Sequence, residues 1–184
     1  MKIKCFINWK DFDKNGNLIS EYEHEANSLV RQFIQVLQIH FSQTGQYIKT
    51  TAGASPTTTA DSANFRITAG AGDATFGIVV GTGTTAVAIT DYVLQTLIAH
   101  GGGSGQLSYG AVSVDTNILT SGSTDWFTIS RSFTNGSGSD ITIEEIGLIF
   151  SGSSYKFLID RSLSTKTVTN GTASTCTYKF KITV

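Results

Sequence analysis

The sequence predicts a mainly β protein: an antiparallel β-sandwich, jelly-roll-like, with one amphipathic helix near the N-terminus. Its 184 residues include 19 glycines and one proline, and only 15% are charged, which is typical of many short strands joined by tight turns. Several segments alternate apolar and polar residues, and turn sequences separate these segments. A chain of this length can bury the core of one domain, so we expect a single sandwich domain over residues 1–184.

The first expected element is a hairpin. Ile3, Cys5 and Ile7 alternate with polar residues, which predicts a strand with one buried face. Residues 13–17 contain an Asn-Gly pair, a strong hairpin signal, so residues 18–24 are expected to form the return strand. Because the N-terminal residues alternate, we expect no signal peptide, and no stretch reaches the ~18 apolar residues of a membrane span.

Residues 27–42 are predicted to form the helix, with Asn27 as its N-cap. An apolar stripe at helical spacing comprises Val30, Phe33, Ile34, Leu37 and Phe41. Two interpretations stay open. Either the stripe packs on the chain's own domain, as is usual for surface helices, or Val30, Phe33, Leu37 and Phe41 dock on a neighbouring subunit.

The remainder of the chain is predicted to form short strands and loops. Residues 51–64 are rich in Thr, Ala and Ser and are expected to be a loop or an extended arm. Residues 91–98 fit either a short helix or a strand. Further strands are predicted at residues 76–80, 106–115, 125–134, 140–150, 155–161, 165–169 and 175–184.

One predicted hairpin carries a specific contact. If Thr134 pairs with Asp140 across the turn at residues 135–139, alternation places Arg131 and Glu145 as diagonal neighbours on an otherwise apolar face. A lone buried charge is very costly. We therefore expect an Arg131–Glu145 ion pair that fixes the strand register and has no catalytic role.

The spacing of the cysteines predicts their redox state, and the net charge predicts which partners are excluded. Cys5 and Cys176 are far apart and form no CxxC motif, so we expect two free thiols buried on strands, the alternative being a disulfide that joins the first strand to the last. The net charge is −1, and no run of Lys or Arg could follow a phosphate backbone. We therefore expect no nucleic-acid partner.

Asp11, Asp13 and Asn15 form a weak calcium candidate. With the glycine that follows Asn15 they match the first half of an EF-hand loop, but Tyr22 stands where a bidentate Glu is needed. A hairpin turn explains the same residues without a metal. We therefore expect no metal site here.

No other motif points to enzymatic chemistry. Residues 81–86 have the spacing of a dinucleotide-binding loop, but β-prone residues follow where a helix is required. The three histidines lack metal-ligand spacing, and Asp160-Arg161 is expected to be an ion pair at a strand end. We expect neither a cofactor nor enzymatic activity.

Four aromatic residues are candidates for stacking on sugars: Trp9, Tyr109, Trp126 and Tyr155. Aromatic residues on strands more often lie in cores or interfaces. Carbohydrate binding for attachment to a host surface, with a host glycan as partner, is therefore the alternative function. A calcium-stabilised adhesin domain is the third.

Residues 127–148, FTISRSFTNGSGSDITIEEIGL, carry the most specific pattern. They resemble a segment recurring in structural proteins of tailed bacteriophages, roughly R-x-F-x-N-x-S-G followed by I-x-V-x-E-x-G-L. Further pieces fit in the same order, at residues 26–33, 80–87, 91–94, 107–110, 157–161 and 177–184. The resemblance covers most of the chain from residue 26 onward.

This resemblance implies a non-enzymatic virion component that is assembled in the host cytoplasm. Capsid decoration, a collar or neck, and a tail-associated position all agree with it. The expected partners are further copies of the chain and other virion proteins, without nucleic acid and without a membrane.

Overall fold

The computed structural model describes residues 2–26 and 29–183, with all of their side chains except those of Lys2 and Ile3. Within this part the protein is mainly β, with antiparallel sheets and one helix, as predicted. The elements are β1 (Lys2–Phe12), β2 (Leu18–Glu25), α1 (Arg31–Ser42), β3 (Gln46–Tyr47), β4 (Thr57–Thr58), β5 (Gly77–Gly81), β6 (Ser108–Tyr109), β7 (Ser113–Val114), β8 (Leu119–Ser121), β9 (Thr124–Thr134), β10 (Ile141–Ser151), β11 (Lys156–Val168) and β12 (Ala173–Thr183). The predicted N-cap Asn27 lies outside the described residues, but the predicted helix start is too early, because Val30 is extended and is itself the N-cap of the helix that begins at Arg31.

Two antiparallel sheets form the sandwich. Sheet A has the strand order β2-β1-β12-β9-β6, and the short strands β7 and β8 also pair with β9. Sheet B has the order β11-β10-β5, and a separate two-stranded ladder joins β3 to β4. The long strands of sheet A keep one continuous register, in which β12 lies between β1 and β9.

The core lies between the inner faces of the two sheets. Fully buried side chains from sheet A, such as Ile7 and Phe133, pack with Ile146 and Leu148 of sheet B. Burial of each large apolar side chain contributes roughly 1.5–3 kcal/mol. Polar contacts also cross the core: Trp9 Nε1 donates to Ser164 Oγ at 3.0 Å and Tyr178 Oη donates to Asp160 Oδ2 at 2.8 Å.

The predicted N-terminal hairpin is confirmed. β1 pairs with β2, and the turn between them is closed by a hydrogen bond from Gly16 N to Asp13 O of 3.0 Å. Gly16 has a φ of +82°, which favours glycine at this position. The Asp13 carboxylate accepts the backbone N–H groups of Asn15 and Asn17, an arrangement typical of Asx turns.

The predicted hairpin between residues 134 and 140 is wrong. β9 pairs with β12 in sheet A, whereas β10 pairs with β11 in sheet B, so the connecting turn crosses from one sheet to the other. Buried Asn135 holds this crossing because its Nδ2 donates to Val168 O at 2.7 Å and to Ser139 O at 2.9 Å. A five-residue turn fits either connection, and the side-chain bonds of Asn135 select the crossing.

Three further predictions have different outcomes. Residues 51–64 do not project as an arm: Thr58 and Ala63 are buried, and His40 Nε2 lies 2.8 Å from Ala63 O. Residues 91–98 form neither a helix nor a named strand. The two strands predicted at residues 155–169 are one continuous strand, β11, whose pairing with β10 contains register shifts.

Candidate functional site

Helix α1 packs on the sandwich mainly through a row of residues beside the predicted stripe. Its buried residues are Gln32, Val36 and Ile39. Val36 and Ile39 belong to a small apolar cluster with Phe157 of β11 and two loop residues. The expectation that the predicted stripe packs on the chain's own domain holds only in part. Val30 lies in the main core and Phe33 packs against it, whereas Ile34 and Phe41 are exposed because the helix is rotated so that a neighbouring row faces inward.

The predicted stripe is only partly covered. Phe41 is 85% exposed and Ile34 is 61% exposed, while Phe33 and Leu37 are partly buried. Val30 is the exception: it is 1% exposed and lies in the main core, where it cannot contact a partner. We call Phe33, Ile34, Leu37 and Phe41 the helix ridge.

Beside the helix ridge lies an apolar groove of about 490 Å³. It opens between the sheets, at the end where β9 begins and β12 ends. The described residues that line it are mostly aromatic or aliphatic: Phe33, Phe65, Ile67, Val114, Ile118, Asp125, Trp126, Phe127, Ile129, Phe150, Phe180, Lys181 and Ile182. Phe33 belongs to both features, so the ridge and the groove form one continuous apolar surface.

Aromatic contacts give the groove its shape. Phe127 and Phe180 of sheet A are stacked, with ring centroids 5.2 Å apart. On the opposite side, Phe65 meets Phe150 edge to face at 4.8 Å and stacks on His40 at 5.1 Å. Alternation along β9 and β12 could have assigned Phe127 and Phe180 to the inner face, but nothing in the sequence places Phe65 opposite them.

A second cavity, of about 610 Å³, lies on the outer face of sheet B. Its lining includes the apolar residues Val79, Leu94 and Ile149 and a set of Thr and Ser side chains, together with Lys156. No carboxylate is among its described lining residues. It therefore offers a hydroxyl-rich rim above an apolar floor, without the paired titratable groups that acid–base catalysis needs.

Arg131 and Glu145 are both buried, as predicted, but they do not pair with each other. The Arg131 guanidinium donates to five backbone carbonyls, those of Gly70, Asp73, Phe76, Ile78 and Gly110, at 2.6–3.2 Å. It also lies over the Tyr109 ring at 4.8 Å. The predicted ion pair is wrong because the two strands belong to different sheets.

Glu145 is the centre of a different network. Its carboxylate accepts a 2.7 Å bond from Arg161 Nε and backbone bonds from Gly83, Gln95 and Thr96. Arg161 also donates to Asp91 Oδ2 at 2.9 Å. This network holds residues 83–96 on sheet B, and it corrects the expected Asp160–Arg161 pair, since consecutive strand residues point to opposite faces.

The buried thiols are confirmed as free. Cys5 and Cys176 lie opposite Phe180 and Trp9 respectively, several residues apart along the β1–β12 ladder. Burial, assisted by the Asp160 carboxylate, raises the pKa of Cys5, and burial is also the main reason why the pKa of Cys176 is raised. Both cysteines are therefore held as thiols, which suits packing and not nucleophilic chemistry.

The calcium candidate residues have other partners. Asp11 contacts the Lys166 ammonium and the hydroxyls of Ser20 and Ser174. Its burial favours the neutral acid, but the bonds from these three groups outweigh burial and lower the pKa of Asp11. Among the described residues, no cluster of three His, Cys, Asp or Glu side chains is placed to hold a metal ion.

One serine–histidine contact has the distance of a catalytic pair. His24 Nε2 lies 3.1 Å from Ser164 Oγ, but Trp9 Nε1 donates to the same hydroxyl, and His24 Nδ1 lies near the backbone oxygen of Glu25, not a carboxylate. Neither Ser164 nor His24 lines the cavities described above. The contact fits a link between β2 and β11.

The four candidate sugar-stacking residues separate into two groups. Trp9 and Tyr109 are buried in the core, so neither can meet a ligand. Trp126 and Tyr155 are partly exposed, Trp126 at the edge of the groove and Tyr155 in the lining of the larger cavity.

Comparisons with protein-family models, curated proteins and solved structures found no match to this chain. In the part of the chain that the structure describes, no helix has the length and apolarity needed to cross a bilayer.

Proposed function

We propose that the protein is a non-enzymatic structural component of a tailed-phage virion, acting by self-association and by docking on other virion proteins. The sequence support is the resemblance of residues 127–148 to a segment of such proteins. The structural support is the continuous apolar surface made by the helix ridge and the groove.

The exposed helix ridge is the single observation that carries the proposal. Phe41 is 85% exposed and Phe33 of the same ridge lines the aromatic groove, so apolar area is left in water that association would bury. Aromatic side chains contribute strongly when they fill a partner's pocket. The low charged fraction of the chain, 15%, leaves little electrostatic opposition to such contacts.

The positions of the ridge and the groove favour a twofold contact between copies. Because the two lie side by side on one surface and share Phe33, the ridge of each copy packs into the groove of the other. Such a self-complementary contact closes as a dimer. Obligate contacts bury upwards of about 2,000 Å², so the exposed Ile118 and Ile182 beside the groove would also be covered.

Native mass spectrometry of the purified chain tests the assembly. We expect an oligomer that Phe41→Asp dissociates, because the substitution places a charge in the contact. Ile19→Asp is the matched control, since Ile19 is also an exposed apolar residue but lies at the other end of sheet A. A wild-type chain that stays monomeric, or two variants with the same effect, contradicts the proposed contact.

Electron microscopy of the particle tests the virion role separately. The expected result is density for this chain on the head, collar or tail, with the helix ridge covered by a neighbour. Particles without such density contradict the virion role, whatever the purified chain does alone. The alternative function, a carbohydrate-binding module for host-surface attachment, would use Trp126, which also lies at the edge of the groove.

A further inference from the structure

The outer face of sheet A carries a basic patch around an indole. Lys181 lies directly opposite Trp126 of β9 on one side and Lys4 of β1 on the other. With Lys179, these residues face away from the core, because the inward residues of β12 are those at the alternate positions such as Cys176 and Tyr178. We call Trp126, Lys179, Lys181 and Lys4 the basic patch.

The charges of the basic patch are not balanced. Two lysines directly opposite each other on neighbouring strands repel. Lys4 is paired with Glu25 at 2.8 Å, and Lys179 lies 3.5 Å from Glu23. Among the described residues, Lys181 has no carboxylate within ion-pair distance. An anion bound at Lys181 would supply the missing charge and reduce its repulsion with Lys4.

A small pocket of about 250 Å³ lies at the basic patch. Its lining consists of Trp126, Lys179, Lys181 and the hydroxyl residues Ser121 and Thr124. Lys179 Nζ lies 5.7 Å from the Trp126 ring centroid, so the ammonium is within cation–π distance of the indole. The pocket combines an aromatic ring, hydroxyl hydrogen-bonding groups and cations, and it is smaller than the pockets that hold drug-sized ligands.

We propose that this pocket binds a single acidic sugar unit of a polysaccharide. The sugar ring packs on the Trp126 indole, its hydroxyls bond to Ser121 and Thr124, and its carboxylate or phosphate binds Lys181. Nucleic acid is the less favoured ligand, since the chain has a net charge of −1 and two of the three lysines of the basic patch are paired with glutamates, and Lys181 alone cannot follow a phosphate backbone. The inference does not depend on the proposed virion role, but Trp126 and Lys181 also line the apolar groove, so a copy docked in the groove would compete with the sugar.

NMR titration of the purified full-length chain tests the site with defined probes. The probes are trigalacturonic acid, the same trimer with its carboxyls methyl-esterified, galactose 6-phosphate, inorganic phosphate and a short single-stranded DNA. We expect shifts at the basic patch with trigalacturonic acid or galactose 6-phosphate, and much weaker ones with the esterified trimer. Which of the two acidic sugars binds more tightly identifies the anionic group.

Substitutions test whether the acidic sugar binds at the basic patch. Lys181→Gln should raise the Kd of the acidic sugar about tenfold, and Trp126→Leu should raise it as well. Thermal melting checks that both variants are folded. Lys14→Gln, at an exposed turn at the other end of the sheet, should leave binding unchanged. The proposal is overturned by an acidic sugar that does not bind, by equal binding of inorganic phosphate or DNA, or by a folded Lys181→Gln chain with wild-type affinity.

Discussion

Two buried arginines, one in each sheet, are neutralised in different ways. Arg131 on β9 of sheet A donates only to backbone carbonyls, five of them. Arg161 on β11 of sheet B binds two carboxylates, those of Glu145 and Asp91, and one carbonyl, that of Thr85. Each side chain is 1% exposed, so the contrast lies in the partners and not in the depth of burial.

The contrast appears in the direction of the two pKa shifts. Burial lowers the pKa of Arg131, because the nearby Tyr109 and Asp73 compensate only in part. Burial also acts to lower the pKa of Arg161, but the bonds and charges of Glu145 and Asp91 outweigh it and raise that pKa. One arginine thus depends on fixed backbone dipoles, and the other depends on side chains that a substitution can remove.

The largest expected effect is that of Glu145→Ala. It leaves Arg161 buried with only the partly exposed Asp91 as a counter-charge and removes the acceptor of three backbone N–H groups. Removal of one partner of a buried ion pair costs about 3–5 kcal/mol. Urea unfolding should therefore give a free energy lower than that of the wild type by about this amount.

A double-mutant cycle shows whether the charge pair is the cause. Glu145→Leu combined with Arg161→Leu should destabilise less than the sum of the single changes, because no unpaired charge is then buried. The same cycle with Arg131→Leu in place of Arg161→Leu should be additive, since Arg131 has no bond to Glu145. Coupling of equal size in both cycles would contradict the assignment of partners.

The same two arginines show how far the sequence alone predicts this molecule. Alternation correctly predicted that Arg131 and Glu145 are buried, because side-chain direction is a local property of a strand. It missed the register shift between Ile143 and Glu145, which places Glu145 under residues 83–96 and not on the face of Ile143. The partners of Arg131 and Glu145 were missed because pairing depends on which sheet a turn enters, and at residues 135–140 that is decided by the bonds of Asn135 to distant Val168. Nothing local marks Asp91 as the second partner of Arg161.

The helix ridge illustrates the same limit at the candidate site. Periodicity found the apolar stripe, but the helix carries a second row, at Val36 and Ile39, that also suits burial. The choice between the two rows depends on the surface beneath the helix, where Phe157 and Ala63 fit the second row. Sequence periodicity could not include that surface.

Arg131→Met tests the arginine that donates to backbone carbonyls. The change removes the buried cation together with the donors to five carbonyls, and a buried polar group left unsatisfied costs about 1–3 kcal/mol. A carbonyl can accept two bonds, and Gly70 O also accepts from Asp73 N, so the five carbonyls do not all become unsatisfied. Because the charge also disappears with its donors, we expect the total loss to stay within about 2–3 kcal/mol by urea unfolding, less than for Glu145→Ala. A loss larger than that of Glu145→Ala would show that carbonyl dipoles stabilise a buried guanidinium more than carboxylates do.

The Arg131 region should also be sensitive to alkaline pH through Tyr109. Burial raises the pKa of this tyrosine to about 12, while the Arg131 charge and the bond to Val80 oppose that rise. A tyrosine in the unfolded chain ionises near pH ~10. The neutral phenol of Tyr109 therefore stabilises the folded state fully below about pH 10, and this stabilisation is lost as the pH rises towards about 12. At pH ~11 the loss corresponds to about 1.4 kcal/mol.

Tyr109→Phe should remove this part of the pH dependence. The free energy of unfolding, measured by urea between about pH 8 and 11, should fall less steeply for the variant than for the wild type, because only the wild type has this phenol to ionise. Tyr47→Phe, at an exposed position, is the matched control and should follow the wild-type curve. Parallel curves for the wild type and Tyr109→Phe would contradict the role of burial.

The smallest expected effect is that of Asp91→Asn, which removes the second negative charge from Arg161. The side chain of Asp91 is 25% exposed, so its charge is partly screened by water, and an asparagine can still accept bonds from Arg161 and from Ala88 N. We expect a loss of about 1 kcal/mol or less in urea unfolding. Glu145→Gln is the matched comparison, because it removes one charge from the same arginine with a similar change of shape but at a fully buried position. If Asp91→Asn and Glu145→Gln lose equal stability, burial does not set the strength of the carboxylate contacts of Arg161. The contrast between Arg131 and Arg161 must then come from the number of hydrogen bonds and not from charge.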